Sequence, residues 1–79
     1  MPLKDVLEYL ARNLVDDPDS VSVTQIDEED GRVRLELRVA PDDMGKVIGR
    51  GGRTARAIRT VVRASATRTG APVLVDIVE

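Results

Sequence analysis

The sequence predicts an α+β fold in the order helix, strand, strand, helix, helix, strand, with the apolar faces of all three strands covered by helices on one side. Three observations carry this. Apolar residues recur at helical spacing near the start of the chain, at Leu3, Val6, Leu7, Leu10, Leu14 and Val15. From Arg32 to Val39 apolar and charged residues alternate, the mark of a strand with one buried and one solvated face. Between residues 41 and 68 two helical patterns meet at a glycine-rich turn, with no strand signal between them.

The first helix is expected from about residue 3 to residue 15, with Pro2 suited to a helix start and Asp16, Asp17 and Pro18 ending it. From Ser20 to Ile26, β-branched content and the Val21, Val23 alternation predict a strand; Ile26 falls out of phase and marks a bulge or the strand end. Glu28-Glu29-Asp30-Gly31 follows, and its Asp-Gly pair predicts a hairpin to the second strand at 32–39. Pro41 and Asp42 open a short helix of about two turns that runs into the glycines. A longer helix leaves them near Gly52 and continues to about Arg68, where Thr69, Gly70, Ala71 and Pro72 break it. Val73 to Val78 is the last strand. No repeat or linker interrupts the pattern, so residues 1–79 are expected to form one domain, burying roughly 60% of the surface of the unfolded chain.

Composition removes several functions. The chain has no Cys and no His, which excludes a disulfide framework, the common zinc ligands and the usual general base. Ser20, Ser22 and Ser65 therefore have no imidazole to activate them, and no catalytic activity, metal or cofactor is expected. The acidic run Asp27, Glu28, Glu29, Asp30 lacks the spaced ligands of a calcium loop and reads as a solvated hairpin tip. No stretch approaches the roughly 18 apolar residues of a membrane span, and the N-terminus carries no export signal, so a soluble cytoplasmic protein is expected.

The net charge of −2 conceals a division. Residues 1–43 hold five basic and twelve acidic groups, whereas residues 44–75 hold seven basic groups and no acid. A polyanion would be steered to one side of such a molecule. The basic half contains Val47-Ile48-Gly49-Arg50-Gly51-Gly52-Arg53-Thr54-Ala55-Arg56-Ala57-Ile58. Gly49, Gly51 and Gly52 lack the Cβ groups that would hold a phosphate backbone away from the main chain, and the helix that opens at Gly52 offers N–H groups and a positive dipole end. Along that helix Arg53, Arg56, Arg59 and Arg63 fall opposite Ala55, Ile58, Val61 and Val62.

This stretch resembles the K-homology (KH) signature, an Ile-Gly-x-x-Gly loop between two helices followed by apolar residues at helical spacing. The element order is that of the type II KH fold, and the likeness to the small stand-alone bacterial KH proteins of the KhpA family covers the whole chain. The resemblance implies a three-stranded mixed sheet covered on one face by three helices. It also implies a GXXG loop at residues 49–52 that clamps about four nucleotides of single-stranded RNA. The residues that carry over as RNA-binding are Lys46, Val47, Ile48, Gly49, Arg50, Gly51, Gly52, Arg53, Arg56 and Ile58, with Val47, Ile48 and Ile58 lining the groove beneath the bases. Ala55 stands where many KH domains have a larger aliphatic residue, which implies a shallower groove floor. Partners implied by the family are a second copy in a homodimer and a larger multidomain KH protein (the KhpB family). The implied role is that of an RNA chaperone or post-transcriptional regulator in cell-envelope homeostasis and cell length.

Plainer readings compete at each point. A glycine-rich segment also serves as a tight helix-to-helix turn, and an arginine stripe also serves as a solvated face. Arg53 and Arg56 lie nearest the loop; Arg59 and Arg63 fit solubility or a partner's acidic surface equally well. Tyr9, the only aromatic residue, excludes stacking platforms of the RRM or OB kind and falls at the edge of the first helix's apolar stripe. Two other functions stay open at this level: a protein-interaction adaptor with a vestigial loop, and a single-stranded DNA binder, since no residue identifiably reads a 2′-OH.

Overall fold

Pro2, extended at φ −60° and ψ 149°, starts α1 (Leu3–Arg12) by accepting the N–H groups of Asp5 and Val6 at 3.0 and 3.1 Å. The computed structural model describes residues 1–67, 70 and 72–79. Leu7 and Ala11, one turn apart, are fully buried, and Arg12 pairs with Glu8 at 2.6 Å on the wet side. The helix ends earlier than residue 15. Asn13 Nδ2 donates to Tyr9 O at 2.8 Å and competes with the helical ladder. The chain keeps turning, with the Leu14 and Val15 N–H groups both donating to Ala11 O, so Val15 still packs on the core and mimics helical periodicity.

A 3-10 turn at Pro18–Ser20 leads into β1 (Ser22–Asp27), which pairs antiparallel with β2 (Val33–Arg38). The register is unbroken from Ser22 opposite Arg38 to Asp27 opposite Val33, so there is no bulge at Ile26. Ile26 instead lies opposite Arg34 on the face away from the helices, which is why it left the apolar phase. The Asp-Gly signal holds: Gly31 has φ 87°, and Glu28 N–H donates to Arg32 O at 2.8 Å. Asp30 then holds the tip, accepting Arg32 N–H at 3.1 Å and Arg32 Nε at 2.7 Å.

After β2 a 3-10 turn, Pro41–Asp43, feeds α2 (Met44–Ile48); a second, Arg50–Gly52, feeds α3 (Arg53–Ala66). The helix pair serves as the crossover, so β3 (Val73–Ile77) returns parallel to β2, with Leu35 opposite Val75 and strand order β1-β2-β3. This is the expected mixed sheet. Its covered face (Val23, Leu35, Leu37, Val73, Val75) meets Leu7 and Ala11 of α1, Val47 of α2, and Ile58, Val62 and Ala66 of α3 in one cluster. Val61, placed by periodicity on the apolar side of α3, is 45% exposed: it sits at the margin of the stripe. Arg68, Thr69 and Ala71, which carry the expected helix end and most of the expected break, lie outside the described residues.

Candidate nucleic-acid interface

The geometry of the loop follows from where α2 must stop. Gly49 takes φ 74° with ψ 169°, a region open essentially to glycine alone, and turns the chain off the axis of α2. A Cβ there would also stand 2.8 Å from Thr54 Cβ and 2.9 Å from Thr54 N, so position 49 is closed to any side chain on steric grounds. Gly51 (φ 64°) and Gly52 (φ 76°) need the left-handed region too, but an added Cβ would meet nothing within 4 Å.

The N–H groups can be accounted for one by one. Gly49 donates to Gly45 O at 2.9 Å, Gly52 donates to Gly49 O at 3.1 Å, and Arg53 donates to Arg50 O. The helix opening at Gly52, expected to present unpaired donors, thus spends two of them on its own 3-10 turn. The N–H groups of Arg50 and Gly51 open that turn, and its own bonds, donated by Gly52 and Arg53, make no use of them. No side chain caps α3, and its first turn carries no acid, so its positive dipole end faces the same space.

The basic residues fall into three groups. The side chains of Arg50, Arg53, Arg56 and Arg63 are exposed and form no hydrogen bond or ion pair with any described residue. Arg59 is half-buried and donates Nε to Val75 O at 3.2 Å, pinning α3 to β3. Lys46 is already engaged, at 2.8 Å from Asp16 Oδ2 and 3.5 Å from Asp43 Oδ1. The charge division of the sequence is therefore bridged at one point by folding.

The three aliphatic residues expected in a groove separate as well. Val47 is fully buried and Ile58 is 4% exposed, so both support the site from inside the core. Ile48 is 39% exposed and, with Val39, Pro41, Met44 and Glu79, lines a cavity of about 430 Å³ beside the loop. Ala55 is buried beneath the first turn of α3.

Sequence reasoning missed Asp43. It is 3% exposed, the one buried charged residue among those described, and it accepts Asp17 N–H at 3.0 Å. Burial opposes ionisation of this carboxyl, but backbone N–H groups of Asp17 and Asp16 and the Lys46 ammonium outweigh it, leaving the pKa below the ordinary 3.8. The hydrogen bond from Lys46 to Asp16 likewise raises the lysine above 10.5. No spacing rule could have found a contact 26 residues long.

Among the described residues no three potential ligand side chains are disposed to hold a metal, and no helix is long and apolar enough to cross a membrane. Residues 4–77 match the family model for the KhpA/KhpB KH domain. The RNA-binding protein KhpA of Clostridium acetobutylicum is 50% identical over 76 residues, covering 96% of this chain and 100% of that protein. KhpA of Streptomyces coelicolor is 55% identical over 75 residues, covering 95% and 94%. Among solved structures, Aquifex aeolicus Era bound to GDP·AlF4− superposes with a TM-score of 0.64 at 17% identity. Era in complex with MgGDPNP and nucleotides 1506–1542 of 16S ribosomal RNA gives 0.63 at 18%. Both matches take in 98% of this chain but only 31% and 30% of the Era chains, and at such identity they bear on the fold alone. The match to the family model over 4–77 and the near-full-length identity to two KhpA proteins place this chain in the KhpA/KhpB KH-domain family.

Proposed function

We propose that this chain is a non-catalytic protein that binds single-stranded RNA through the Gly49–Gly52 loop. One observation carries the reading: the N–H groups of Arg50 and Gly51 open a glycine turn whose own bonds do not use them, at an uncapped helix start, beside arginines that have no acidic partner among the described residues. A phosphate seated there accepts from both amides, while Arg50, Arg53 and Arg56 neutralise it and its neighbours. The adjoining base then reaches Ile48 and the recess beside it. Gly49 and Gly52 shape the loop, Val47 and Ile58 hold it from below, and Lys46 acts through its ion pairs.

The chain as a whole, residues 1–79, is the binding unit in this reading. A single such site contacts few nucleotides, so affinity is expected to be of order micromolar unless a second site is linked to it. That supports the family's implied arrangement of a homodimer and a complex with a KhpB-type protein. In it the protein works in the cytoplasm as an RNA chaperone or post-transcriptional regulator of envelope homeostasis and cell length.

The test is an anisotropy titration of a labelled single-stranded RNA against wild type and the double variant Arg50→Asp, Gly51→Asp. Arg50 is exposed and a Cβ added at Gly51 meets nothing within 4 Å, so the variant bears only the left-handed backbone cost at position 51, about 1–2 kcal/mol, keeps the fold and loses binding. Retained affinity in a folded variant refutes the clamp. Binding of a protein partner but not of RNA marks an adaptor, and preference for DNA over RNA of equal sequence marks a DNA binder.

A further inference from the structure

The loop is carried by a helix of five residues, far too short to hold its own direction by backbone hydrogen bonds. Something else must aim it. Val47, buried in the core, and the packing of α2 on α3 set how deep the helix sits. The second constraint is at the start of the helix. Asp43 does not cap α2; its carboxylate turns away to accept Asp17 N–H at 3.0 Å and lies 3.5 Å from Lys46 Nζ, one turn further along. Lys46 in turn reaches Asp16 at 2.8 Å. The start of α2 and its next turn are thus tied to the same segment, residues 16 and 17, and two tethers a turn apart fix an axis.

The constraint then passes directly into the loop. Gly45, between the two tethered residues, accepts Gly49 N–H at 2.9 Å, and Gly49 accepts Gly52 N–H at 3.1 Å. We propose that Asp43 is a positioning residue for nucleic-acid binding: shared between Asp17 N–H and Lys46, it sets the attitude of α2 and hence the direction in which the Arg50 and Gly51 N–H groups point. It touches no ligand. Lys46 belongs to the same device and is a strut, not a phosphate contact. The proposal rests on the RNA-binding reading above, but its first test does not.

That test needs no RNA. Two-dimensional NMR of the full chain resolves glycine amides, and Asp43→Ala is expected to shift those of Gly49, Gly51 and Gly52 while leaving Gly31, at the far hairpin, in place. In the same variant, assayed well below its melting temperature, single-stranded RNA is expected to bind about tenfold more weakly, as for the loss of one charge-assisted hydrogen bond. Asp43→Asn, which keeps the shape and an acceptor for Asp17 N–H, recovers most of the loss. The substitutions are repeated with Lys46→Met, where no released ammonium can compensate; Lys46→Met alone leaves the salt dependence of RNA binding unchanged. If Asp43→Ala does not fold, Lys46→Met, which removes the second tether and leaves Asp43 on Asp17 N–H, carries the same glycine readout. Unshifted loop glycines, or wild-type affinity in a destabilised but folded variant, overturn the proposal. Shifted glycines in a protein that binds no RNA uphold the positioning and refute the RNA reading instead.

Discussion

A methyl group added at Gly49 would stand 2.8 Å from Thr54 Cβ and 2.9 Å from Thr54 N, at a backbone setting of φ 74° and ψ 169°. The two costs are separate. The backbone setting is worth roughly 1–3 kcal/mol to any residue other than glycine. The overlap adds about 1–3 kcal/mol, because the obstacle includes a main-chain nitrogen in the first turn of α3 and cannot swing aside. Gly49→Ala is therefore expected to lose roughly 2–6 kcal/mol, which at about 4–8 °C per kcal/mol lowers the melting temperature of a chain this size by at least about 10 °C. Gly51→Ala is the control. It meets nothing within 4 Å and incurs only the left-handed backbone cost, about 1–2 kcal/mol. Thermal unfolding followed by circular dichroism ranks the two variants. Equal melting temperatures would refute the steric argument, and a Gly49→Ala protein as stable as wild type would refute the loop geometry altogether.

The other expectations concern charge. Arg56→Ala leaves the melting temperature unchanged and weakens RNA binding, whereas Arg59→Ala, which frees Val75 O, lowers stability by about 0.5–1.5 kcal/mol; thermal melts and RNA titrations on both variants separate the two roles. Asp43 has a folded pKa below 3.8, so its stabilisation is in full force above about pH 4 and disappears as pH falls through the lower folded value. Urea midpoints measured down through that range fall less steeply for Asp43→Asn than for wild type, and parallel curves would show that the carboxylate carries no acid sensitivity.

Strict periodicity made much of this fold legible. The alternation at 33–38 and the Asp-Gly pair gave β2 and the hairpin because each depends on residues close together in the chain. The expected first helix runs past the observed one because Val15 still packs on the core after the ladder has ended at Arg12, whereas Leu14 is exposed. The out-of-phase Ile26 marks no bulge: it is a strand residue on the uncovered face, one before the end of β1 at Asp27. At the site, glycine spacing located the loop, but spacing carries no account of which N–H groups the chain uses itself. The 3-10 turn takes up the donors of Gly52 and Arg53 and leaves those of Arg50 and Gly51 outside its own bonds. The fates of Lys46 and Arg59 were equally hidden, since one is decided by acids across the fold and the other by a strand carbonyl.

The salt dependence of RNA binding tests the central claim most directly. Three arginines near the loop, Arg50, Arg53 and Arg56, are free to meet phosphate, while Lys46 and Arg59 are held elsewhere. At about 0.7 per contact on a single strand, log K against log salt should fall with a slope near −2, and toward −3 if a fourth phosphate is neutralised. Duplex RNA of the same sequence should bind far more weakly, because its stacked bases cannot turn into the recess at Ile48 and its backbone cannot follow the glycine turn. A slope near zero, or equal affinity for duplex and single strand, would contradict the account and assign the basic half of the chain to an acidic protein partner.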